Sequence, residues 1–366
     1  MRRIVSFRAQ CLALFSILAL SACGDDAGDD TTPDPQDMGI DSFMEPEDLG
    51  AEDAYVEPDE GPPDMGPPCD GPPGLYVDPG CAVLADDVEA YEPRYWLWSD
   101  GTDKQRFVSL PAGTQIDTTD PDNWIYPVGT RLWKNFLTAD GSMKLETRYF
   151  EKMADGAGPD FWDMSTYVWN ESQDAVTEVI GGMENVLGTD HDIPTRGQCV
   201  QCHGTPGRAD VVNGFSAIQL NHAGSDVTLD DLNRDGRLTE TIPTGDANVP
   251  SDGDSRYAAA LGYMHANCGM CHGNAGAQAG MRLWSNVGTE SFAESDVATT
   301  AVNVEGLWAL MGATGRIVPG EPEQSSTFIR MSSRELGVSM PPIGTEVVHE
   351  DGRRILSDFI LALAED

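Results

Sequence analysis

Cys199-Val-Gln-Cys202-His203 and, further along the chain, Cys268-Gly-Met-Cys271-His272 repeat one arrangement of side chains. In each of these two motifs, two cysteines stand three positions apart and a histidine follows the second cysteine directly. Side chains three positions apart lie on one side of a helical turn. Each motif therefore presents two thiols and an imidazole to a single ligand.

A covalently bound haem uses this set of groups. The two thiols add to the two vinyl groups of one haem, and the adjacent histidine binds its iron. A thiol redox pair or a Cys₄ zinc site also contains Cys-x-x-Cys, but neither accounts for a histidine after both pairs. The sequence predicts two haem c groups, attached at Cys199, Cys202, Cys268 and Cys271, with His203 and His272 as iron ligands.

The second motif stands in a fuller context than the first. A helix predicted over Ser255–Asn267 precedes it, and Ser339-Met340-Pro341-Pro342-Ile343-Gly344 and a final helix over residues 351–364 follow it. Over residues 252–366 this order resembles a small class I cytochrome c domain. The resemblance implies that Met340 is the sixth iron ligand and that the terminal helices cross near Gly262 and Phe359. Competing methionines are Met281, Met311 and Met331.

The first motif departs from that pattern, which makes residues 196–251 a separate first haem segment. Residues 192–197 are turn-like, and no Met-Pro-Pro follows before the second motif. His222 is the nearest downstream candidate for the sixth iron ligand, and Met264 is the next. More remote candidates are His191 and Met183, and an empty sixth position is the remaining alternative.

Residues 75–195 have a different composition. Six of the eight tryptophans lie between Trp96 and Trp169, and short aromatic and β-branched runs alternate with turn-forming clusters. Short strands separated by turns are typical of an antiparallel sandwich or barrel-like domain. The sequence therefore predicts a β-rich domain with its aromatic side chains in the core.

The N-terminus is typical of a targeting segment. Arg2, Arg3 and Arg8 precede an apolar stretch, residues 11–20, that is too short to span a bilayer. Leu20-Ser21-Ala22-Cys23 resembles the lipobox of bacterial lipoproteins. The resemblance implies that a signal peptide, residues 1–22, is removed and that Cys23 carries a lipid, with the protein facing the periplasm or the cell exterior. An ordinary secretory signal is the alternative.

Residues 23–74 are rich in Asp, Glu, Pro and Gly and contain no Lys or Arg. Such a segment cannot bury enough apolar surface to offset the entropy of ordering, so we expect a disordered linker that holds the folded part away from a membrane. A binding role for the acidic run is the alternative.

Cys69 and Cys81 are left after the other cysteines are assigned, and we expect a disulfide between them in an oxidising compartment, or else two free thiols.

The charge of the chain bears on its partners. With 61 acidic and 22 basic residues the net charge is −39, which argues against nucleic acid as a partner and favours basic proteins.

Residues 231–238 resemble the start of an EF-hand loop, but Ile242 stands where a calcium-binding Glu is required. A solvated turn is therefore favoured over a weak calcium site.

An aromatic β-domain followed by two haem motifs resembles bacterial dihaem cytochrome lipoproteins, from about Tyr95 to the end of the chain. The resemblance implies a multidomain protein with a β-rich, sandwich-like N-terminal domain and a mainly α, cytochrome c-like region. Its expected function is electron transfer between redox partner proteins at the membrane. One alternative is a peroxidase-like dihaem oxidoreductase with an open site at the first haem. Another is a binding module coupled to the haems.

Overall fold

The computed structural model describes residues 67–204, 208–273, 280–306, 310 and 312–365. The predicted signal peptide, Cys23, the linker as far as residue 66 and Met311 lie outside these ranges. Within them, no helix has both the length and the apolar character needed to cross a bilayer.

Six antiparallel strands form a sheet in which each strand pairs with the next one along the chain. They are β1 (Glu89–Ala90), β2 (Asp103–Ser109), β3 (Arg131–Leu137), β4 (Lys144–Lys152), β5 (Trp162–Trp169) and β6 (Val176–Glu178). The β-rich N-terminal part is therefore confirmed. It differs from the expected sandwich or barrel, because the described residues form a single open sheet whose two faces are covered by other kinds of structure.

One face of the sheet packs against the segment that precedes it. Phe107, Trp133 and Tyr149 alternate with residues of the opposite face and form a core with Leu75 and Val88. The indole nitrogen of Trp133 donates to the Pro73 carbonyl at 2.9 Å. A disulfide joins Cys69 to Cys81, whose Cα atoms are 5.5 Å apart. Residues 67–74, which the sequence assigned to the disordered linker, are thus folded onto the sheet.

The other face of the sheet packs against the segment that follows it. Leu132, Phe150 and Trp162 share one hydrophobic core with Phe215 and Leu232 from the first haem segment. This segment holds α1 (Arg196–His203), α2 (Ala217–Leu220) and α3 (Leu229–Arg234). The predicted boundary between residues 195 and 196 therefore falls inside a continuous core, and short helices take the place of a second sheet.

The described part of the C-terminal region contains a few helices: α4 (Ser255–Asn267), α5 (Asp296–Thr300), α6 (Ser326–Met331) and α7 (Glu350–Ala362). Tyr257 of α4 and Phe359 of α7 meet edge to face, with ring centroids 5.3 Å apart. The close approach expected at Gly262 is made to Tyr95, outside the two helices, and α7 instead meets Tyr263 of α4 at Gly352. A Cβ at either glycine would overlap an aromatic ring, so both positions require glycine.

Candidate functional site

The two motifs line one cavity of about 1690 Å³. Pockets for a single small molecule have volumes of about 300–1,000 Å³, so this cavity has room for more than one large ligand. Its wall combines the second face of the sheet, α1, α4 and the loop before α7. All four cysteines and both histidines of the motifs are in the lining: Cys199, Cys202, His203, Cys268, Cys271 and His272.

The second cysteines of the two motifs are in contact. Their thiols are hydrogen-bonded, which lowers the pKa of Cys202 to about 7 and raises that of Cys271. The Cys271 thiol also lies 3.7 Å from the carbonyl oxygen of Gln201. Although 68 residues lie between Cys202 and Cys271 in the sequence, the fold brings their thiols together.

Both motif histidines are held in the same way. Nδ1 of His203 donates to the Val211 carbonyl at 2.7 Å, and Nδ1 of His272 donates to the Met281 carbonyl at 3.2 Å. A proton on Nδ1 puts the lone pair on Nε2, and metal-binding histidines are commonly oriented by a carbonyl in this way. Burial lowers the pKa of His203 to about 4, which keeps the imidazole neutral, as an iron ligand must be.

Phe150 of β4 supports the first histidine from the sheet. Its ring meets the His203 ring edge to face, with centroids 4.6 Å apart. On the other side of the motif, Thr195 and Gln198 form a reciprocal capping box that starts α1. The first motif therefore lies on α1, which begins at this capping box and ends at His203, where the ring of Phe150 packs against the imidazole.

Met340 lies in the lining of the cavity that also contains His272. The residue is 37% exposed, and its backbone N–H donates to the Arg330 carbonyl at 3.1 Å. Met281 and Met331, the competing methionines in the described part of the chain, line the same cavity. The structure thus brings all three thioethers into the cavity of the second motif.

His222, the first candidate for the sixth ligand of the first haem, is not among the residues that line this cavity. Its Nε2 donates to the Glu92 carbonyl at 2.8 Å, and its Nδ1 accepts from the Gly224 N–H at 3.1 Å. Helix α2 ends after one turn at Leu220, and the chain then places the imidazole against the Glu92 carbonyl, just after β1. Both ring nitrogens are then engaged in hydrogen bonds.

The other sequence-based candidates do line the cavity. Met264 of α4 is 1% exposed, and Met183 is 40% exposed. His191 also lines it, but its Nε2 is bonded to the Glu146 carboxylate at 2.7 Å. Met264 therefore stands as the buried thioether among these candidates.

His265 is a lining residue that the sequence interpretation missed. It is 2% exposed, and the Ser285 N–H donates to its Nδ1 at 3.2 Å. The proton of the neutral ring is then on Nε2, which has no hydrogen-bond partner among the described residues. This ring is a donor rather than an iron ligand. The sequence did contain a signal for this residue: His265 stands three residues before Cys268, and side chains at that spacing lie on one side of a helix.

The segment that resembles an EF-hand loop uses its polar side chains internally. Asp231 accepts from Thr228 as part of the capping box of α3, and Asn233 exchanges two hydrogen bonds with the backbone of Ile242. Across the described ranges, no group of three or more His, Cys, Asp or Glu side chains is arranged to hold a metal ion. A haem iron takes four ligands from its own porphyrin and does not need such a group.

Comparisons of the chain with protein-family models, with curated proteins and with solved structures found no match. The two motifs and the cavity therefore carry the functional inference. Their residues fit two covalently bound haems: each motif supplies two thiols and an imidazole whose Nδ1 is bonded to a backbone carbonyl, and both motifs open onto one cavity.

Proposed function

We propose that this chain is an electron-transfer protein of the cell envelope with two covalently bound haems, one at each motif. The observation that carries the proposal is the shared tautomer of His203 and His272, each fixed by a backbone carbonyl at the edge of a common large cavity. When bound, each haem supplies a one-electron iron couple.

The chain's own residues have distinct parts in this function. Each motif thiol would add across a vinyl double bond of the haem, forming one C–S and one C–H bond with no leaving group. His203 and His272 would hold the iron through Nε2, and Met340 would offer the second iron a thioether, a ligand that favours the reduced state. The contact between Cys202 and Cys271 suits two cofactors that exchange electrons within one molecule.

The N-terminus supports a place at the membrane. Cys23 in its lipobox-like context would carry the anchor, and residues 24–66, free of Lys and Arg, would act as a spacer. The cytochrome c-like order of residues 252–366 supports a carrier rather than an enzyme. Basic redox proteins are the expected partners of a chain whose net charge is −39.

The test is the number of haems. We expect the full chain, produced with a c-type haem attachment pathway, to carry two haems that resist acid-acetone extraction and add two haem units to the intact mass. The double variant Cys199→Ser/Cys202→Ser should carry one, and so should the matched variant Cys268→Ser/Cys271→Ser. Zinc in place of haem, or a single haem with both motifs intact, would contradict the proposal.

A second candidate function is favoured by the position of His222. Because that imidazole is bonded to Glu92, the first iron would lack it as a ligand and could offer an open position to a small molecule. The protein would then be a peroxidase-like oxidoreductase. Uptake of carbon monoxide by half of the reduced haem supports this candidate, whereas no uptake supports the carrier with Met264 as a ligand.

A further inference from the structure

Three cationic side chains stand at directly opposed positions on β2, β3 and β4. Arg106 is in register with Lys134, and Lys134 is in register with Arg148. Directly opposed residues on antiparallel strands project from the same face with Cβ atoms about 4.5–5.5 Å apart. All three line the cavity, so they form a row across its sheet wall, which we call the cationic row.

The ends of the cationic row are paired with carboxylates. Arg106 forms an ion pair with Glu92 at 3.0 Å, and Arg148 forms one with Glu146 at 2.6 Å. Glu146 is shared, because it is also bonded to His191. Both arginines are therefore held in place by anions that the fold supplies.

Lys134, in the middle of the row, differs from the two arginines. No ion pair joins it to a carboxylate within the described ranges, and its ammonium group lies 4.6 Å from the centre of the Phe136 ring. Burial, together with the neighbouring Arg106, Arg148 and Lys104, lowers its pKa well below the usual value. Opposed like charges destabilise a sheet, and an unpaired cation in a desolvated wall is costly.

The cationic row starts beside the first motif. Phe150, which contacts His203, is two residues from Arg148 on the same face of β4. Arg148 also interacts electrostatically with Cys199 and Cys202. A group bound in the cavity at the first motif therefore lies next to the cationic row. Such a row is notable in a chain with only 22 Lys and Arg residues and 61 Asp and Glu residues.

We propose that Arg106, Lys134 and Arg148 form an anion-binding site in the cavity, with Lys134 as the charge that the ligand neutralises. The ligand carries carboxylate or other oxyanion oxygens, which bind Arg and Lys by charge-assisted hydrogen bonds. These oxygens can come from either of two sources. If they belong to the propionates of the haem at the first motif, the site rests on the proposed function. If they belong to a dissolved oxyanion, it does not.

The experiment uses the full chain as purified, with its covalent haem counted first, so that the proposed function is assessed separately. The variant Lys134→Gln removes the central charge, and Lys134→Arg retains it. Lys104→Gln is the matched control, since Lys104 is on the same face of β2 but outside the cavity lining and donates to the Thr102 carbonyl at 2.8 Å. Each protein is titrated with inorganic sulfate by calorimetry and with a reductant to obtain midpoint potentials.

Two results support the site and separate the sources. For a dissolved oxyanion, the parent protein binds sulfate saturably, Lys134→Gln weakens binding at least about tenfold, and Lys134→Arg retains it. For haem propionates, sulfate does not bind. Lys134→Gln then moves the reduction equilibrium of one haem about tenfold toward the oxidised state, about 59 mV for one electron, while Lys104→Gln does not.

The proposal is overturned if Lys134→Gln matches Lys104→Gln both in sulfate binding and in both potentials. A purified chain without haem would refute the proposed function alone if it bound sulfate through Lys134. A chain that neither carries haem nor binds sulfate would refute both.

Discussion

Asp210 connects the sheet to the first motif, and its replacement by Asn should destabilise the whole folded unit. Its carboxylate is 5% exposed and pairs with Lys152 of β4 at 2.8 Å. It also accepts from the Trp162 indole and, at 3.1 Å, from the Tyr126 N–H. The next residue, Val211, supplies the carbonyl that orients His203. One buried side chain thus fixes the backbone next to the carbonyl that orients His203, the proposed iron ligand.

The magnitude follows from burial. Removing one partner of a buried ion pair costs about 3–5 kcal/mol, since the other charge is left without a counter-ion. Lys152 also donates to the Gly156 carbonyl, which places the expected loss near the lower end, about 3 kcal/mol. For a unit of this size, about 300 residues, that corresponds to a fall of roughly 5 °C in the melting temperature.

The matched control is Asp163→Asn. Asp163 of β5 is also an aspartate on the sheet, and it pairs with Arg196 at the start of α1, but both partners are about 40% exposed. Exposed pairs contribute about 0–1 kcal/mol. Thermal and denaturant unfolding of both variants, followed by circular dichroism, measures the difference. If Asp210→Asn loses no more stability than Asp163→Asn, the buried pair does not hold the sheet to the first haem segment.

Three further substitutions test the assigned sites. Met340→Ala should keep its covalent haem but lower the potential of that haem or make its iron high-spin, because the thioether favours reduced iron; an unchanged spectrum would move the ligand to Met281 or Met331. His222→Ala should leave the electron paramagnetic resonance spectrum of the native protein unaltered, since the imidazole is bonded to the Glu92 carbonyl, and a low-spin to high-spin change would restore it as a ligand. Cys23→Ser should release the protein from membranes in cell fractionation, and persistent membrane association would exclude the lipid anchor.

Local patterns were sufficient where the structure depends on near neighbours. The helix Ser255–Asn267 has the bounds predicted from Tyr257, Leu261 and Met264, because the period of a helix repeats within the segment itself. The short aromatic and β-branched runs at β3 and β4, bounded by turn-forming clusters, likewise predicted strands. The four cysteines and two histidines that the sequence singled out in the two motifs all line the cavity.

Other features depend on residues that are distant in the sequence. His222 was assigned by its nearness to the first motif, but its position is determined by Glu92, 130 residues earlier. The single sheet was not predictable either, because a strand with one apolar face does not specify whether a sheet or a helix covers it. His265 resembles an ordinary core residue until the Ser285 N–H fixes its tautomer.

The continuous core between the sheet and the first haem segment limits how this protein can be divided or recombined. A fragment that ends before α1 would leave Leu132, Phe150 and Trp162 in contact with water, and a fragment that starts there would lose the wall against which His203 rests. Neither piece could be transplanted as a self-sufficient module. An insertion or deletion near residue 195 would disturb the packing of both parts, because they share one core. The sheet and the first motif are therefore expected to evolve as one unit.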